Sequence, residues 1–316
     1  MHRVFIHGGS GTTGLRLRER MLARDDVALV EIEEAVRKDA QAVKACMAEA
    51  DFTFFCLPDD AAVEAAALAA ETDCRVIDCS CAHRSDPDWV YGYPELSAAR
   101  REAVAAAKRV AGPGCHAGGC IVLAYPLLRA GLVPYDYPFC FTSVTGYSGG
   151  GKKMIADYDA PDRSPLLSAP RQYALGQTHK HLREMVTTCK FPEPVFLPIV
   201  DDFYAGMHVT LPIVSRCIPG KPTLQRVLDC LRAHYAGQKL VHVLPEPVND
   251  GMISAAFMAG RDDLCICVSG SDERILVHAL FDNLGKGASG GAIECFNIMA
   301  GLPEETGLIL GKPEVQ

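Results

Sequence analysis

Apolar and polar positions in the first third of the chain switch between two periods. "RVFIHGG" from Arg3 is a short apolar run of strand type, and "TTGLRLRERMLAR" after it is helical, with Leu15, Leu17, Met21 and Leu22 on roughly one side. "VALVEIE" predicts a second strand and "DAQAVKACMAEA" a second helix. "FTFFCLPD" is a strand ending at Pro58, followed by the alanine-rich helix "AAVEAAALAAE" and a fourth strand, "RVIDCSC". Short apolar strands separated by helices imply a parallel sheet with right-handed crossovers, which is a Rossmann-like α/β arrangement.

Beyond Cys115 the texture changes. "GGCIVLAYPLLRAG" reads as a helix. "FCFTSVTGYSGGG", "GMHVTLPIVSRC", "KLVHVLPE" and "CICVSGSD" read as longer strands of an α+β domain with a mixed or antiparallel sheet. The chain then passes through "DNLGKGASGGAIECFNIMAGL", a glycine-led helix. The expected division is a dinucleotide-binding domain over 1–115, joined by a C-terminal helix at about 285–316, and a catalytic and oligomerisation domain over 116–284.

Composition narrows the class. The 316 residues are 49% hydrophobic and 22% charged, with a net charge of −8, which suits a folded protein whose partner is not nucleic acid. No apolar run approaches the ~20 residues of a membrane span, and the N-terminus has no export signal, so the expectation is no membrane partner and a cytoplasmic location. The 14 cysteines sit mostly in apolar runs and read as reduced thiols. Cys79 with Cys81 and Cys265 with Cys267 are C-x-C pairs in strand-like runs, whose alternation puts both sulfurs on one face; zinc spacing is absent and no metal is expected.

Three groups of residues carry candidate chemistry. Gly9, Ser10, Gly11, Thr12, Thr13 and Gly14 fit G-x-G-x-x-G between the first strand and first helix, the place where a pyrophosphate meets a helix N-terminus. Glu31, Glu33 and Glu34 near the second strand's end suit a ribose hydroxyl, whereas Arg37 and Lys38 suit a 2′-phosphate, so local chemistry leaves NAD and NADP both open. Cys115 follows Gly112-Pro113-Gly114 at the predicted start of a helix, where the partial positive charge favours a thiolate; Cys120 lies inside an apolar stretch. "THKHLREM" supplies His179 and His181 as acid–base partners, with Glu184 on the face of His181. For anions, "GYSGGGKK" is a flexible loop offering Ser148, Gly149, Gly150 and Lys152, while Ser80 and Arg84 sit at the fourth strand's carboxyl edge.

These runs, in this order, resemble the N-acetyl-γ-glutamyl-phosphate reductases of arginine biosynthesis in their shorter type 2 form. The resemblance rests on Pro113-Gly114-Cys115 with Pro126 beyond, Ser148 to Lys152, the His179 to Glu184 run, Asp78 to Arg84, "YGYPEL" from Tyr91 to Leu96, and Asp282 to Gly290. His116 and Gly118 stand where the family usually has an aromatic residue and a threonine. Ala205-Gly206 replaces the arginine-glycine of longer members, and Gly291 and Glu294 stand where glutamine is common.

The resemblance implies an NADP(H)-dependent reduction of N-acetyl-L-glutamyl 5-phosphate to the 5-semialdehyde through a thioacyl Cys115, with His179 and His181 as the catalytic histidines. It implies cofactor contacts from the glycine turn, Arg37 and Asn283, substrate or phosphate contacts from Ser80, Arg84, Ser148, Gly149, Gly150, Lys152 and Glu184, and a homodimer or homotetramer. The rival reactions are those of an aspartate-semialdehyde dehydrogenase or of a reductase of carrier-linked acyl phosphates. A rival of another class is a nucleotide sensor that has lost catalysis.

Overall fold

A computed structural model describes residues 1–245 and 251–311; Glu246, at the end of the expected "KLVHVLPE" strand, and the last part of the expected C-terminal helix lie outside the described residues. The chain forms two compact units, Met1–Gly114 with Ala288–Leu308, and Cys115–Gly287 with the residues from Ile309 onward.

The first unit runs β1 (His2–His7), α1 (Thr12–Leu22), β2 (Val27–Val30), α2 (Ala40–Glu49), β3 (Phe52–Phe55), α3 (Asp59–Ala69), β4 (Arg75–Asp78), β5 (Val90–Tyr91), α4 (Ala98–Ala106) and β6 (Arg109–Ala111). The sheet order is β2-β1-β3-β4-β6-β5 and every pairing is parallel. All four residues of β3 are buried, as a strand covered on both faces requires. Alternation divides the core in two: Val4, Ile6 and Phe54 pack on one face with Leu17 and Met21 of α1, and Phe5 and Phe55 on the other with Val43 and Met47 of α2.

Three features of this unit differ from the reading of the pattern. Leu17 and Met21, one helical turn apart, are buried, but Leu15 and Leu22 are 52% and 56% exposed, because the 3.6 period turns them off the core stripe. β5 and β6 extend the sheet beyond four strands; both are too short for periodicity to mark them. The C-terminal helix is Gly290–Met299, shorter than the expected span, preceded by a π-helical turn at Gly285–Ser289. Gly301, at φ +72°, and Pro303 stop it. Phe296 on this helix meets Phe52 edge-on at 5.0 Å.

The second unit runs α5 (Cys115–Arg129), β7 (Cys140–Gly146), α6 (Gly151–Asp159), β8 (Arg171–Gln172), α7 (His181–Cys189), β9 (Val195–Asp201), β10 (Met207–Val214), α8 (Leu224–His234), β11 (Val241–Val243), β12 (Leu264–Ser271) and β13 (Arg274–Phe281). Its sheet, ordered β11-β12-β13-β10-β7-β9-β8, is mixed: β11 with β12 and β7 with β9 are parallel, and the remaining pairs are antiparallel.

Most of α5 is buried, and its glycine explains the close packing. A Cβ on Gly119 would lie 2.5 Å from Val209 Cγ2 of β10 and 2.9 Å from the Phe281 ring of β13, so only glycine lets the helix approach the sheet this closely. Pro126 lies inside α5 and has no N–H for the carbonyl of Val122, four residues back. The Tyr235 hydroxyl, just past α8, donates to that carbonyl at 2.7 Å. Helix and proline coexist because a side chain from elsewhere satisfies the freed acceptor.

Tyr235→Phe is therefore expected to lower unfolding stability by about 1–3 kcal/mol, the cost of a buried acceptor losing its donor. Urea denaturation followed by circular dichroism measures this. A midpoint and slope equal to those of the unsubstituted protein would show that the Val122 carbonyl needs no such partner.

Candidate functional site

In the first unit a cavity of about 830 Å³ opens over the glycine turn, lined by Gly8 to Gly11, Arg37, Lys38, Leu57 and Pro58 among others. The four glycines have different jobs. Gly8 has φ +89°, and a Cβ there would meet the Cys56 carbonyl oxygen at 2.4 Å; a Cβ on Gly14 would meet the Gly8 carbonyl oxygen at the same distance. These two are required by the protein's own packing. At Gly9 and Gly11 the nearest atom to a Cβ is 3.6 Å away, which leaves the turn's surface bare for a ligand.

Gly11 caps α1 with no side-chain hydrogen bond, so the first-turn amides, including those of Thr12 and Thr13, keep the donor character of a helix N-terminus. Arg37 Nη1 lies 3.5 Å from Ser10 Oγ, and its Nε is paired with Glu34. Glu31, the acidic candidate for a ribose hydroxyl, is held by Arg18 at 2.7 Å. A bare glycine turn, a helix N-terminus and a guanidinium beside Ser10 fit a dinucleotide phosphate chain. Leu57 and Pro58, past the end of β3, also line this cavity; their signal was only that the apolar run ends at the sheet's carboxyl edge.

The turn after β4 is tightly engaged with its own atoms. The buried Asp78 carboxylate accepts from the Ser80 backbone N–H and hydroxyl, both at 2.8 Å, and contacts His83 Nδ1 at 2.7 Å. The His83 ring stacks on Trp89 with centroids 4.1 Å apart. Arg84 is buried, and its guanidinium donates to the carbonyls of Gly112 and Cys79 and to Cys81 Sγ. Ser80 and Arg84 thus brace the stretch leading to Gly112.

Cys79 and Cys81 lie beyond the end of β4, not on a strand face. Cys265 and Cys267 do alternate along β12, into one apolar cluster with Met258 and Leu280. Among the described residues no three His, Cys, Asp or Glu side chains are grouped to hold a metal ion.

In the second unit Cys115 is the first residue of α5 and is half-buried. Gly287 stands against it: a Cβ there would come within 2.9 Å of Cys115 Cβ and 3.2 Å of the Asp282 carbonyl oxygen. The motif Asp282 to Gly290 therefore contributes the space that the cysteine occupies. Cys120 is fully buried and its thiol is pushed well up by desolvation, as a core cysteine's would be.

Three histidines gather near the start of α5. The His116 ring centroid lies 5.7 Å from that of His179 and 5.8 Å from that of His181, and the latter two are 4.6 Å apart. His116 is buried between two hydroxyls, with Nδ1 2.6 Å from Ser143 Oγ and Nε2 2.6 Å from Tyr173 Oη. Burial, and then the neighbouring His179, hold its pKa down at about 3, so it stays neutral at working pH. Both of its nitrogens are engaged, which removes it as a proton acceptor for Cys115.

His179 Nδ1 accepts the backbone N–H of His181 at 3.1 Å. An accepting Nδ1 means that the neutral ring carries its proton on Nε2. Burial and Lys180 lower the His179 pKa, so this neutral donor form prevails at pH 7. His181 and Glu184 are both buried in the first turn of α7, three residues apart and so on one face. Tyr173 is the member of this group that sequence reading missed; a single tyrosine at the end of a two-residue strand gives no periodic signal.

The expected flexible loop after β7 is a short 3-10 turn, Tyr147–Gly150, running directly into α6. Gly151 turns the backbone at φ +71°, and Lys152 and Lys153 fall in the first turn of α6. The buried Ser148 hydroxyl accepts from Asn283 Nδ2 at 3.0 Å, and Asn283 Oδ1 accepts from the Gly206 N–H at 2.9 Å. Asn283, expected on the cofactor, joins the Ser148 turn to Gly206 through its amide. Gly206 itself has φ +127°, and a Cβ there would strike the Ala255 carbonyl oxygen at 2.4 Å.

Comparison with known proteins agrees with this layout. The family model described as the NAD binding domain of semialdehyde dehydrogenase matches residues 3–106, and the one described as its dimerisation domain matches residues 115–283. Proteins of Brucella ovis and Brucella anthropi named N-acetyl-gamma-glutamyl-phosphate reductase are each 41% identical over 306 residues, covering 95% of this chain and 99% and 98% of theirs. Among solved structures, aspartate semialdehyde dehydrogenase from Francisella tularensis superposes with a TM-score of 0.71 at 15% identity, over 95% of this chain and 100% of that one. The enzyme of the same name with NADP from Candida albicans gives 0.64 at 16%, over 95% and 98%. With both units matched and a relative this similar along nearly its whole length, the chain belongs to the N-acetyl-gamma-glutamyl-phosphate reductases of the semialdehyde dehydrogenase family.

Proposed function

We propose that the protein reduces N-acetyl-L-glutamyl 5-phosphate to N-acetyl-L-glutamate 5-semialdehyde and phosphate with NADPH, as a step of arginine biosynthesis. The observation that carries this reading is a cysteine at a helix start, followed by His116 whose ring lies against those of His179 and His181, in a chain 41% identical to reductases of that name. The helix N-terminus favours the Cys115 thiolate. Its sulfur bonds to the acyl carbon, and the carbon–oxygen bond to phosphate breaks with its electron pair leaving on the phosphate. The amides and lysines at the start of α6, with Gly149, Gly150 and Lys152, suit the departing phosphate.

The glycine turn and Arg37 would hold NADPH, which would supply the hydride when bound. The chain's own work is to hold the acyl group and its oxygen. His179, with its proton fixed on Nε2, donates a hydrogen bond to the oxygen that gains charge. His181, sharing a buried face with Glu184, exchanges the proton that the departing phosphate takes up. When the carbon–sulfur bond breaks, the carbonyl re-forms and the sulfur leaves as thiolate, so the enzyme returns to its starting state.

The match to a dimerisation domain supports self-association through residues 115–283, which we read as a homodimer or homotetramer. No helix of the described residues is long and apolar enough to cross a membrane, which accords with a cytoplasmic biosynthetic enzyme.

The reverse assay, N-acetylglutamate semialdehyde with phosphate and NADP, tests the substrate. Faster turnover of aspartate semialdehyde would overturn it, and activity only with a carrier-linked aldehyde would redirect it. Cys115→Ser is expected to abolish turnover while NADPH still binds, and Cys120→Ser to be nearly silent. Residual activity above roughly a tenth in Cys115→Ser would remove the nucleophile.

The histidines separate by pH. His181→Ala is expected to lower kcat on the order of 10²–10⁴-fold and to flatten one limb of the pH–rate profile, as loss of an acid–base group does. His179→Ala should lower kcat and leave the profile's shape at and above pH 7 unchanged, since its lowered pKa keeps it a neutral hydrogen-bond donor there. A profile altered by His179→Ala and untouched by His181→Ala would exchange the two roles.

A further inference from the structure

Helix α1 has a second stripe that does not face the core. Gly11 at its start, then Leu15 and Arg18 at helical spacing, all line the cavity over the glycine turn, whereas Leu17 and Met21 pack into the core. The exposed Leu15 thus borders the cavity, and Arg18 stands one turn further along the same stripe. The Arg18 guanidinium reaches the residue that follows β2: Nη2 lies 2.7 Å from Glu31 Oε1. Glu31 also lines the cavity, directly after Val30, the last residue of β2. In a parallel dinucleotide-binding sheet, an acidic side chain about 20 residues beyond the glycine turn accepts a hydrogen bond from the adenosine ribose 2′-hydroxyl, and its charge repels a phosphate there.

The neighbouring charges show how that carboxylate is handled. Glu34, Arg37 and Lys38 also line the cavity; Arg37 Nε is 2.7 Å from Glu34, and its Nη1 lies 3.5 Å from Ser10 Oγ. Glu31 and Glu34 are thus each matched by a guanidinium. Among the charged side chains that α1 and the stretch after β2 present to the cavity, Arg18, Arg37 and Lys38 outweigh Glu31 and Glu34 by one charge. Without Arg18 that excess disappears, and Glu31 meets a ligand as an uncovered anion. Folding stability does not account for the pair, because side chains 44% and 60% exposed form an ion pair that contributes little to it.

We propose that Arg18 is a specificity-determining residue for the cofactor: by covering the Glu31 carboxylate, it converts the end of β2 from a site for a ribose hydroxyl into one that admits the 2′-phosphate of NADP(H). The proposal rests on the glycine-turn cavity being the NADP(H) site of the proposed reduction. It reconciles an acidic residue at a position suited to NAD(H) with a cofactor that carries about two further negative charges.

The test is direct binding to the intact protein, which reports on this cavity without the reaction. Adenosine 2′,5′-bisphosphate and adenosine 5′-monophosphate differ by the 2′-phosphate alone, so calorimetric titration with each gives the preference for that phosphate as a ratio of Kd values. Arg18→Gln is expected to lower the preference about tenfold, chiefly by weakening the bisphosphate, as uncovering an anion beside a phosphate would. The KM for NADPH should rise in step. Adding Glu31→Gln to Arg18→Gln should bring the preference back to within about threefold of the unsubstituted protein, because the charge that Arg18 covers is then gone. Glu31→Gln alone should change it by less than about threefold, the carboxylate being covered already.

An unchanged preference in Arg18→Gln, with both ligands shifted equally or not at all, would overturn the proposal and leave the ion pair a structural one. A double variant as poor as Arg18→Gln would overturn it too, since Arg18 would then act on the phosphate directly and not through Glu31. Failure of the underlying reading is seen separately, in the unsubstituted protein, as no preference for the 2′-phosphate or no binding of either ligand.

Discussion

The start of α5 can form only because other backbones make way for it. Cys115 has room because residue 287 is a glycine, and one turn later the helix lies against β10 and β13 because residue 119 is a glycine too. A methyl group at either position would meet atoms closer than 3 Å. These contacts set where the helix begins and how close its first turn comes to the sheet, and with them the field that the Cys115 sulfur experiences. Pro126, which would otherwise strain the same helix, is accommodated by the Tyr235 hydroxyl. Three separated parts of the second unit therefore hold one helix in register.

Around that helix start, burial determines what each histidine can do. Desolvation holds His116 and His179 neutral, and hydrogen bonds then fix which nitrogen carries the proton. A cluster of imidazoles that look interchangeable in composition becomes three different groups: a bridge between hydroxyls, a fixed N–H donor, and a ring that shares a buried face with a carboxylate. The glycine turn of the first unit shows the same division of labour. Gly8 and Gly14 serve internal packing, whereas Gly9 and Gly11 keep a surface bare.

The glycine turn was legible in the sequence because a strand, a turn and a helix succeed one another without interruption, so every contact that matters is local. Cys115 was legible for a similar reason: Gly-Pro-Gly interrupts any helix before it, and a new helix starts at the cysteine. Ser80, Arg84 and Asn283 form internal bonds that were not legible. Their types suit ligands, yet the structure commits Ser80 to Asp78, Arg84 to carbonyls that include Gly112, and Asn283 to Ser148 and Gly206. A polar residue near a site has two ways of satisfying its hydrogen bonds, and spacing along the chain does not distinguish them.

The sequence by itself determined the parallel α/β unit, the mixed-sheet unit, the glycine turn and the start of a helix at Cys115, since each follows from local periodicity or from backbone restrictions at glycine and proline. Tertiary structure alone decided the rest. Short β5 and β6 are strands only because a neighbouring strand offers them partners. Tyr173 belongs to the site only because β9 pairs with both β7 and β8 and so brings it near Ser143, far away in the chain. The state of His116 likewise depends on burial between those hydroxyls, and burial is a property of the packed molecule that no stretch of sequence carries.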